Sequence, residues 1–401
     1  MMNPFVEAKK AFTNSDWPKV LQSYGCTVRN LNTDIFQKPL PDMKHILEDV
    51  SYAYSQLSNL RVNKKTKEVK NKDDIQAARD NAIASYTALL KKDETNMKGL
   101  QGRAYIYYKA VIDASMQKNV SPVQDVSRLS NFKEAKTWYQ RLLAVDEMNV
   151  KGNYRFGKLY ATLLNSWSPS FQHYLQEQHM SRRNAQNLGI VYFQKALMAY
   201  DTLSEKSKKE YFKYSVKAKY SLGNTYLSMC SDNSKKVWPT FEENPNQTVA
   251  GYVAYGSEKE LDQALEQYLN VLVNYGMDVD GPIDVSQYVA SRKQGYAISP
   301  KDVLYRVGCV YTAQYQRQCF LYGRDKGDMG LVEKGIYYYL LSQQYAWWMM
   351  QKGYSRNEMY GYVNQKLTEL CRLAGIAPRG EEVQKIQQDI PSYIPEPKKG
   401  V

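Results

Sequence analysis

"KKDETNMKGLQGRAYIYYKA" runs from Lys91 to Ala110, and "AVDEMNVKGNYRFGKLYATL" runs from Ala144 to Leu163. Aligned, they share Asp93/Asp146, Glu94/Glu147, Asn96/Asn149, Lys98/Lys151, Gly99/Gly152 and Tyr107/Tyr160, every pair 53 residues apart. A catalytic motif is seldom duplicated so closely, whereas a stacking module must be, because one helix pair cannot bury its apolar face alone. Working outward, Ser51, Ala104 and Gly157 fall at the same interval, each followed three residues later by Tyr54, Tyr107 or Tyr160. A second register holds Ala82, Tyr86 and Leu89, answered by Ala135, Tyr139 and Leu142. Both registers have helical spacing, so each unit reads as helix, connection, helix. The opening segments then become junctions between units. Asp93 and Asp146 end one helix, Asn96 and Asn149 cap the next, and Gly99 and Gly152 let the helices approach.

The pattern extends down the chain. First-helix triplets are Leu100, Ala104, Tyr107, then Asn153, Gly157, Tyr160, then Leu304, Gly308, Tyr311, with Gly223 and Tyr226 in "YSLGNTY". Further second-helix triplets are Gly189, Phe193, Ala196, then Ala264, Tyr268, Val271, then Gly335, Tyr339, Ser342. Over residues 43–350 this resembles the tetratricopeptide-repeat (TPR) family, in which small residues let helices approach and aromatics fill the gaps they leave. The resemblance implies an all-α fold, a right-handed α-solenoid of about five TPR-like helix pairs closed by a C-terminal capping helix. The chain departs from the family's 34-residue period. From first to second helix the small residues are 31, 31 and 32 apart in the first three units, against about 12 in the family. The extra residues imply either longer helices or long outer loops. Further insertions enter at the opposite junctions, near "TLSEKSKKEYFKY" and "YGMDVDGPIDVSQYVASRKQGYA". Residues 1–42 read as an N-terminal segment. Residues 351–376 read as the capping helix, from a Ser355/Glu358 capping box to Gly375. Residues 377–401, ending in the proline-rich "IPSYIPEPKKGV", read as an extended tail.

Composition bounds the function. The 401 residues are 43% apolar, enough for a folded core, and no run approaches the length of a membrane span. The first twenty residues lack the apolar run of a signal peptide, so the expectation is cytoplasmic; periplasmic or envelope-associated placement is the alternative if an export signal has been removed. Cys26, Cys230, Cys309, Cys319 and Cys371 are scattered and lack any CxxC pair, arguing against a disulfide framework or a zinc site. His45, His173 and His179 sit at no triad or metal spacing, and the interval in "HYLQEQH" is wrong for one helical face. "DVDGPID" opens like a calcium loop but lacks its closing Glu. Phosphate-cradle motifs do not occur. "NQT" at 246–248 reads as a chance triplet. The expectation is a chain without enzymatic activity, cofactor or metal.

The excess of 54 Lys and Arg over 41 Asp and Glu, a formal charge of +13, predicts attraction to an anionic partner. In a stack of helix pairs the first helices line the inside of the curve. Counting from their small residues, the inward positions include His45, Glu48, Tyr52, Lys98, Gln101, Tyr105, Tyr108, Lys151, Tyr154, Arg155, Lys158, Lys217, Tyr220, Asn224, Tyr305 and Arg306. The candidate groove for an acidic or extended peptide segment is Lys98, Tyr105, Tyr108, Lys151, Tyr154, Arg155, Lys158, Tyr220, Asn224 and Arg306. Some members of the resembled family clamp a terminal carboxylate with Lys, Asn and Arg. Lys151, Arg155 and Asn224 match parts of that pattern, but Tyr220 stands where a Lys is required. A second candidate edge is the third connection, with Trp167, Phe171 and Tyr174. The function expected is a noncatalytic protein-interaction scaffold in a larger assembly. An RNA-binding helical repeat and an envelope or secretion-machine component are the alternatives, and a homo-oligomer stays open.

Overall fold

The computed structural model describes residues 4–59, 71–115, 121–164, 168–230, 258–274, 298–323, 326–351 and 358–390. These residues are helical, with no strand among them. In chain order the helices are α1 (Pro4–Thr13), α2 (Trp17–Ser23), a 3-10 turn (Thr33–Gln37), α3 (Leu40–Asn59), α4 (Lys72–Lys92), α5 (Met97–Ser115), α6 (Pro122–Val145) and α7 (Val150–Leu164). There follow α8 (Pro169–Glu177), α9 (Arg182–Asp201), α10 (Glu205–Cys230), α11 (Glu258–Val273), α12 (Pro300–Tyr322), α13 (Met329–Gln351), α14 (Glu358–Ala374) and α15 (Glu381–Gln388). The chain divides into two compact units, Met1–Tyr192 and Phe193–Val401. Among the described residues no helix is long and apolar enough to cross a membrane.

In the first unit α3 packs along α4 and α5 along α6, while α5 also touches α3 and α7. The repeat positions account for this. Ala82, Leu89, Ala135, Tyr139 and Leu142 are fully buried, as are Ser51, Tyr54 and Ala104. Each such Leu or aromatic contributes about 1.5–3 kcal/mol of transfer free energy. Where α9 crosses α7, a Cβ built on Gly189 would lie 3.2 Å from the Gly157 carbonyl oxygen, so two glycines set that contact. Tyr107 departs from its register and is only half-buried.

The two 53-residue junctions repeat atom for atom. Asp93 N–H donates to the Leu89 carbonyl at 3.0 Å, and Asp146 N–H to that of Leu142 at 2.9 Å, ending α4 and α6. Asn96 and Asn149 then each accept from the backbone N–H of Gly99 and Gly152 through their side-chain oxygens, at 2.8 Å in both cases. That is the N-cap geometry the spacing predicts.

The extra residues within each pair lengthen helices: α3 to α6 have 20, 21, 19 and 24 residues. The third insertion instead builds its own helix, α8. "TLSEKSKKEYFKY" extends α10 backwards to 26 residues. Residues 275–297 and the "NQT" triplet lie outside the described residues, as do most of the first connection, Ser355 and residues 391–401.

The N-terminal segment is part of the first unit's core. Trp17 packs edge-on against Phe12 at 5.3 Å and against Tyr52 of α3 at 5.4 Å. The Tyr24 hydroxyl donates to Asp49 at 3.0 Å, and the Tyr54 hydroxyl sits 2.7 Å from the Thr27 carbonyl.

In the second unit α10 packs on α11, α11 on α12, α12 on α13 and α13 on α14. Tyr268 and Tyr339, both fully buried, fill the spaces left by Gly223 and Gly308. A Cβ at either glycine would meet ring carbons at 2.8 and 2.7 Å. Gly375, at φ +73°, ends α14 with the Ile376 N–H returning to the Cys371 carbonyl at 2.8 Å. The segment read as an extended tail carries α15, whose Val383 is buried and which packs on α13. "EEVQKIQQ" is short, but its acidic first turn favours a helix start.

Candidate functional site

The candidate groove residues divide between the two units, and each set is its own site. In the first unit, α7 buries Asn153, Phe156, Gly157, Leu159 and Tyr160. Its remaining face is a row at i, i+3, i+4 and i+7: Lys151, Tyr154, Arg155 and Lys158, all half-buried. The helix sequence, "VKGNYRFGKLYATLL", contains no acidic residue. From this row the Arg155 guanidinium lies 4.2 Å from the ring centre of Tyr105 on α5, a cation–π contact that holds the charge at the helix surface. Beneath it Tyr105 stacks on Tyr108 at 6.2 Å, and Tyr108 meets Tyr139 of α6 edge-on.

Tyr108 is therefore core, not groove. It is 8% exposed, and burial foremost, with the neighbouring Tyr154 and Tyr139, pushes its phenol well above the usual range. Lys98 also differs from its expected role. Its ammonium lies 2.6 Å from Glu48 on α3, and Asn96 donates to the same carboxylate at 3.2 Å. Burial raises the Glu48 pKa, but these two hydrogen bonds outweigh it and hold the carboxyl below its ordinary value. A few residues away Lys44 pairs with Asp93 at 2.6 Å. The ion pairs staple α3 to the junction, leaving the α7 row as the part of this face richest in cations.

In the second unit Tyr220, Asn224 and Arg306 come together, but around one another. Tyr220 packs edge-on against Tyr268 at 5.8 Å, the Tyr268 hydroxyl donates to Asn224 at 2.8 Å, and Arg306 donates to the Tyr220 hydroxyl. Asp302 lies in the same interior cluster. Burial holds its carboxyl above the ordinary range despite Lys301 and Arg306, and its Oδ1 has no hydrogen-bond partner. The cluster ties α10, α11 and α12 together through polar contacts already made, so it does not present the open cationic surface expected from the sequence.

The aromatic edge is corrected as well. Phe171 and Tyr174 are 2% and 5% exposed and pack on Phe132 of α6 at 5.6 and 5.5 Å. The connection folds as α8, capped by Ser168 and anchored by Asp125, which accepts from the Ser168 hydroxyl and from the Ser170 N–H at 3.1 Å. Its aromatics therefore face inward. Trp167 lies outside the described residues.

His45 and His173 sit opposite Asp49 and Glu177 one turn along their helices, at 3.8 and 3.2 Å, and His179 occupies a left-handed turn after α8. Among the described residues no group of three or more His, Cys, Asp or Glu is arranged to hold a metal ion. Sequence reasoning missed Arg79, which lies against Tyr107, and Arg103 and Arg141, which lie over Trp138, where α4, α5 and α6 meet. The i, i+4 pair Arg103 and Tyr107 was the available signal, hidden because Tyr107 also satisfies the repeat. No family model matches this chain, and no curated protein sequence matches it.

Proposed function

We propose that this chain is a noncatalytic scaffold of the tetratricopeptide-like kind, a right-handed solenoid of about five helix pairs, binding an acidic, extended segment of a partner protein. The contacts of α5 with both α3 and α7, and of α12 with both α10 and α14, support the stacked reading. The observation that carries the binding site is the α7 row. Lys151, Arg155 and Lys158 share one face with Tyr154, no carboxylate is on the same helix, and Tyr105 holds the Arg155 guanidinium. Arginine offers a planar fork that matches a carboxylate, and lysine adds charge along an extended ligand. Tyr154 supplies contact area at low entropy cost.

The test is fluorescence anisotropy of a fluorescein-labelled Glu-rich peptide against the full chain. Lys151→Glu with Arg155→Glu weakens binding by about tenfold or more, the loss of two charge-assisted contacts. Unchanged affinity in a folded variant refutes the assignment. Tighter binding of an oligonucleotide than of the peptide, lost in the same variant, would favour an RNA-binding surface instead.

A further inference from the structure

A second concentration of positive charge lies where α4, α5 and α6 meet, on residues separate from the α7 row. Arg79 of α4 has its guanidinium 5.9 Å from the ring centre of Tyr107 on α5. One turn earlier on α5, Arg103 lies 4.0 Å over the Trp138 ring of α6, and Arg141 approaches the same indole at 4.7 Å. Cations and rings thus alternate across three helices.

The hydrogen bonds made by the two inner arginines are unusual in going to neutral acceptors. Arg79 donates to the Asn131 side-chain oxygen and Arg103 to the Thr87 hydroxyl, each at 2.6 Å. The Nε of each is buried without an acceptor. The nearby carboxylates are otherwise engaged: Asp80 accepts from Gln76 at 2.9 Å, and Glu134 from the Trp138 indole N–H at 3.1 Å. A half-buried guanidinium hydrogen-bonded only to neutral groups has lost hydration without gaining a directly paired carboxylate. Two such groups, Arg79 and Arg103, with the exposed Arg141 over the same indole as Arg103, make an anion the missing component. Stacking on the rings fixes the planes of the guanidinium forks before any ligand arrives.

We propose that Arg79, Arg103 and Arg141 form a second binding surface, which takes the carboxylate side chains of an acidic protein segment. Carboxylate geometry matches the guanidinium fork. Single-stranded nucleic acid fits less well, because it relies on open aromatic faces. Here arginines already lie against Tyr107 and Trp138.

The experiment titrates the full chain with the fluorescein-labelled Glu-rich peptide and, separately, with labelled oligothymidylate, following anisotropy and tryptophan emission. Arg103→Gln with Arg141→Gln weakens the peptide about fivefold or more, in line with lost charge-assisted bonds. The peptide-induced change in emission is reduced by Trp138→Phe. Unchanged peptide affinity in a folded Arg103→Gln/Arg141→Gln protein overturns the proposal. So does a variant that loses oligothymidylate binding and leaves the peptide unaffected. If the double variant does not fold, Arg141→Gln decides, since Arg141 is exposed and lies over the indole. A weaker peptide complex supports the surface and an unchanged one refutes it. The α7 variant separates the two readings: peptide binding lost there but kept in the ladder variant leaves the first site standing and removes this one.

Discussion

Asp125 and Arg128 form a buried ion pair in the first unit. Both are buried, at 7% and 6% exposure, and the guanidinium lies 3.4 Å from the carboxylate and 4.8 Å from the Phe171 ring. Removing one partner strands the other charge in the core, which costs about 3–5 kcal/mol. Asp125→Ala should therefore lower the denaturation midpoint by that equivalent and free α8, increasing amide exchange across Pro169–Glu177. The surface staples behave differently. The hydrogen bond from Lys44 holds Asp93 below its ordinary pKa, and the bonds from Lys98 and Asn96 overcome burial to do the same for Glu48. A carboxyl whose folded pKa is depressed adds stability that is full above the unfolded value, near 4, and is lost as pH falls through the folded pKa. Lys44→Met with Lys98→Met should lower Tm slightly at neutral pH, the difference closing as pH falls through the depressed folded pKa values of Glu48 and Asp93. An equal deficit at neutral and acid pH would show that packing, not charge, is responsible. The pairing of Lys98 with Glu48 was not readable beforehand, because Glu48 sits on a helix whose register against α5 is set only by tertiary packing.

Between helices, small residues decide how close the partners come. Gly308 and Gly223 receive the rings of Tyr339 and Tyr268, so an added methyl would overlap a core aromatic that has nowhere to move. Gly308→Ala should destabilise by about 1–3 kcal/mol. Gly361, exposed on α14 with no neighbour within 4 Å of a built Cβ, should respond in the opposite sense. Gly361→Ala is expected to stabilise by about 0.5–1 kcal/mol through helix propensity alone. Chemical denaturation of the two variants gives the comparison directly, and like signs would contradict the packing account. At the junctions, Asn96→Ala and Asn149→Ala should each cost about 1 kcal/mol, since both caps make the same 2.8 Å bond. Elements were legible where a strong local pattern existed. The paired registers placed α3 to α7 and α9 to α13, while α1, α2, α8 and α15 carry no repeat; among these α8 has a side-chain cap at Ser168, and α2 and α15 begin without one.

Across the chain, the +13 charge predicts long-range attraction to an anionic partner, but affinity depends on where the cations are held. Lys44 and Lys98 are paired with Asp93 and Glu48, whereas α7 carries no acidic residue of its own and Arg79 and Arg103 of the ladder donate to neutral acceptors. Binding of the Glu-rich peptide should therefore weaken steadily from about 50 to about 300 mM salt, as the Debye length falls below about 10 Å. Salt-independent binding would point to apolar contacts instead. The 53-residue echo lies within the first unit, and the second keeps the small–aromatic registers with altered spacing.

Composition and periodicity sufficed for the all-helical class, the pairing of small residues with buried tyrosines, and the caps at Asn96 and Asn149. These depend on interactions within a few residues or on a repeat that restates itself. Whether an added stretch lengthens a helix or builds a new one, whether Tyr108, Phe171 and Tyr174 face solvent, and which cation already has an anion were decided only by the tertiary structure. Each depends on groups distant in sequence, such as Glu48 opposite Lys98 or Phe132 beneath Phe171, brought together by packing that no local pattern encodes.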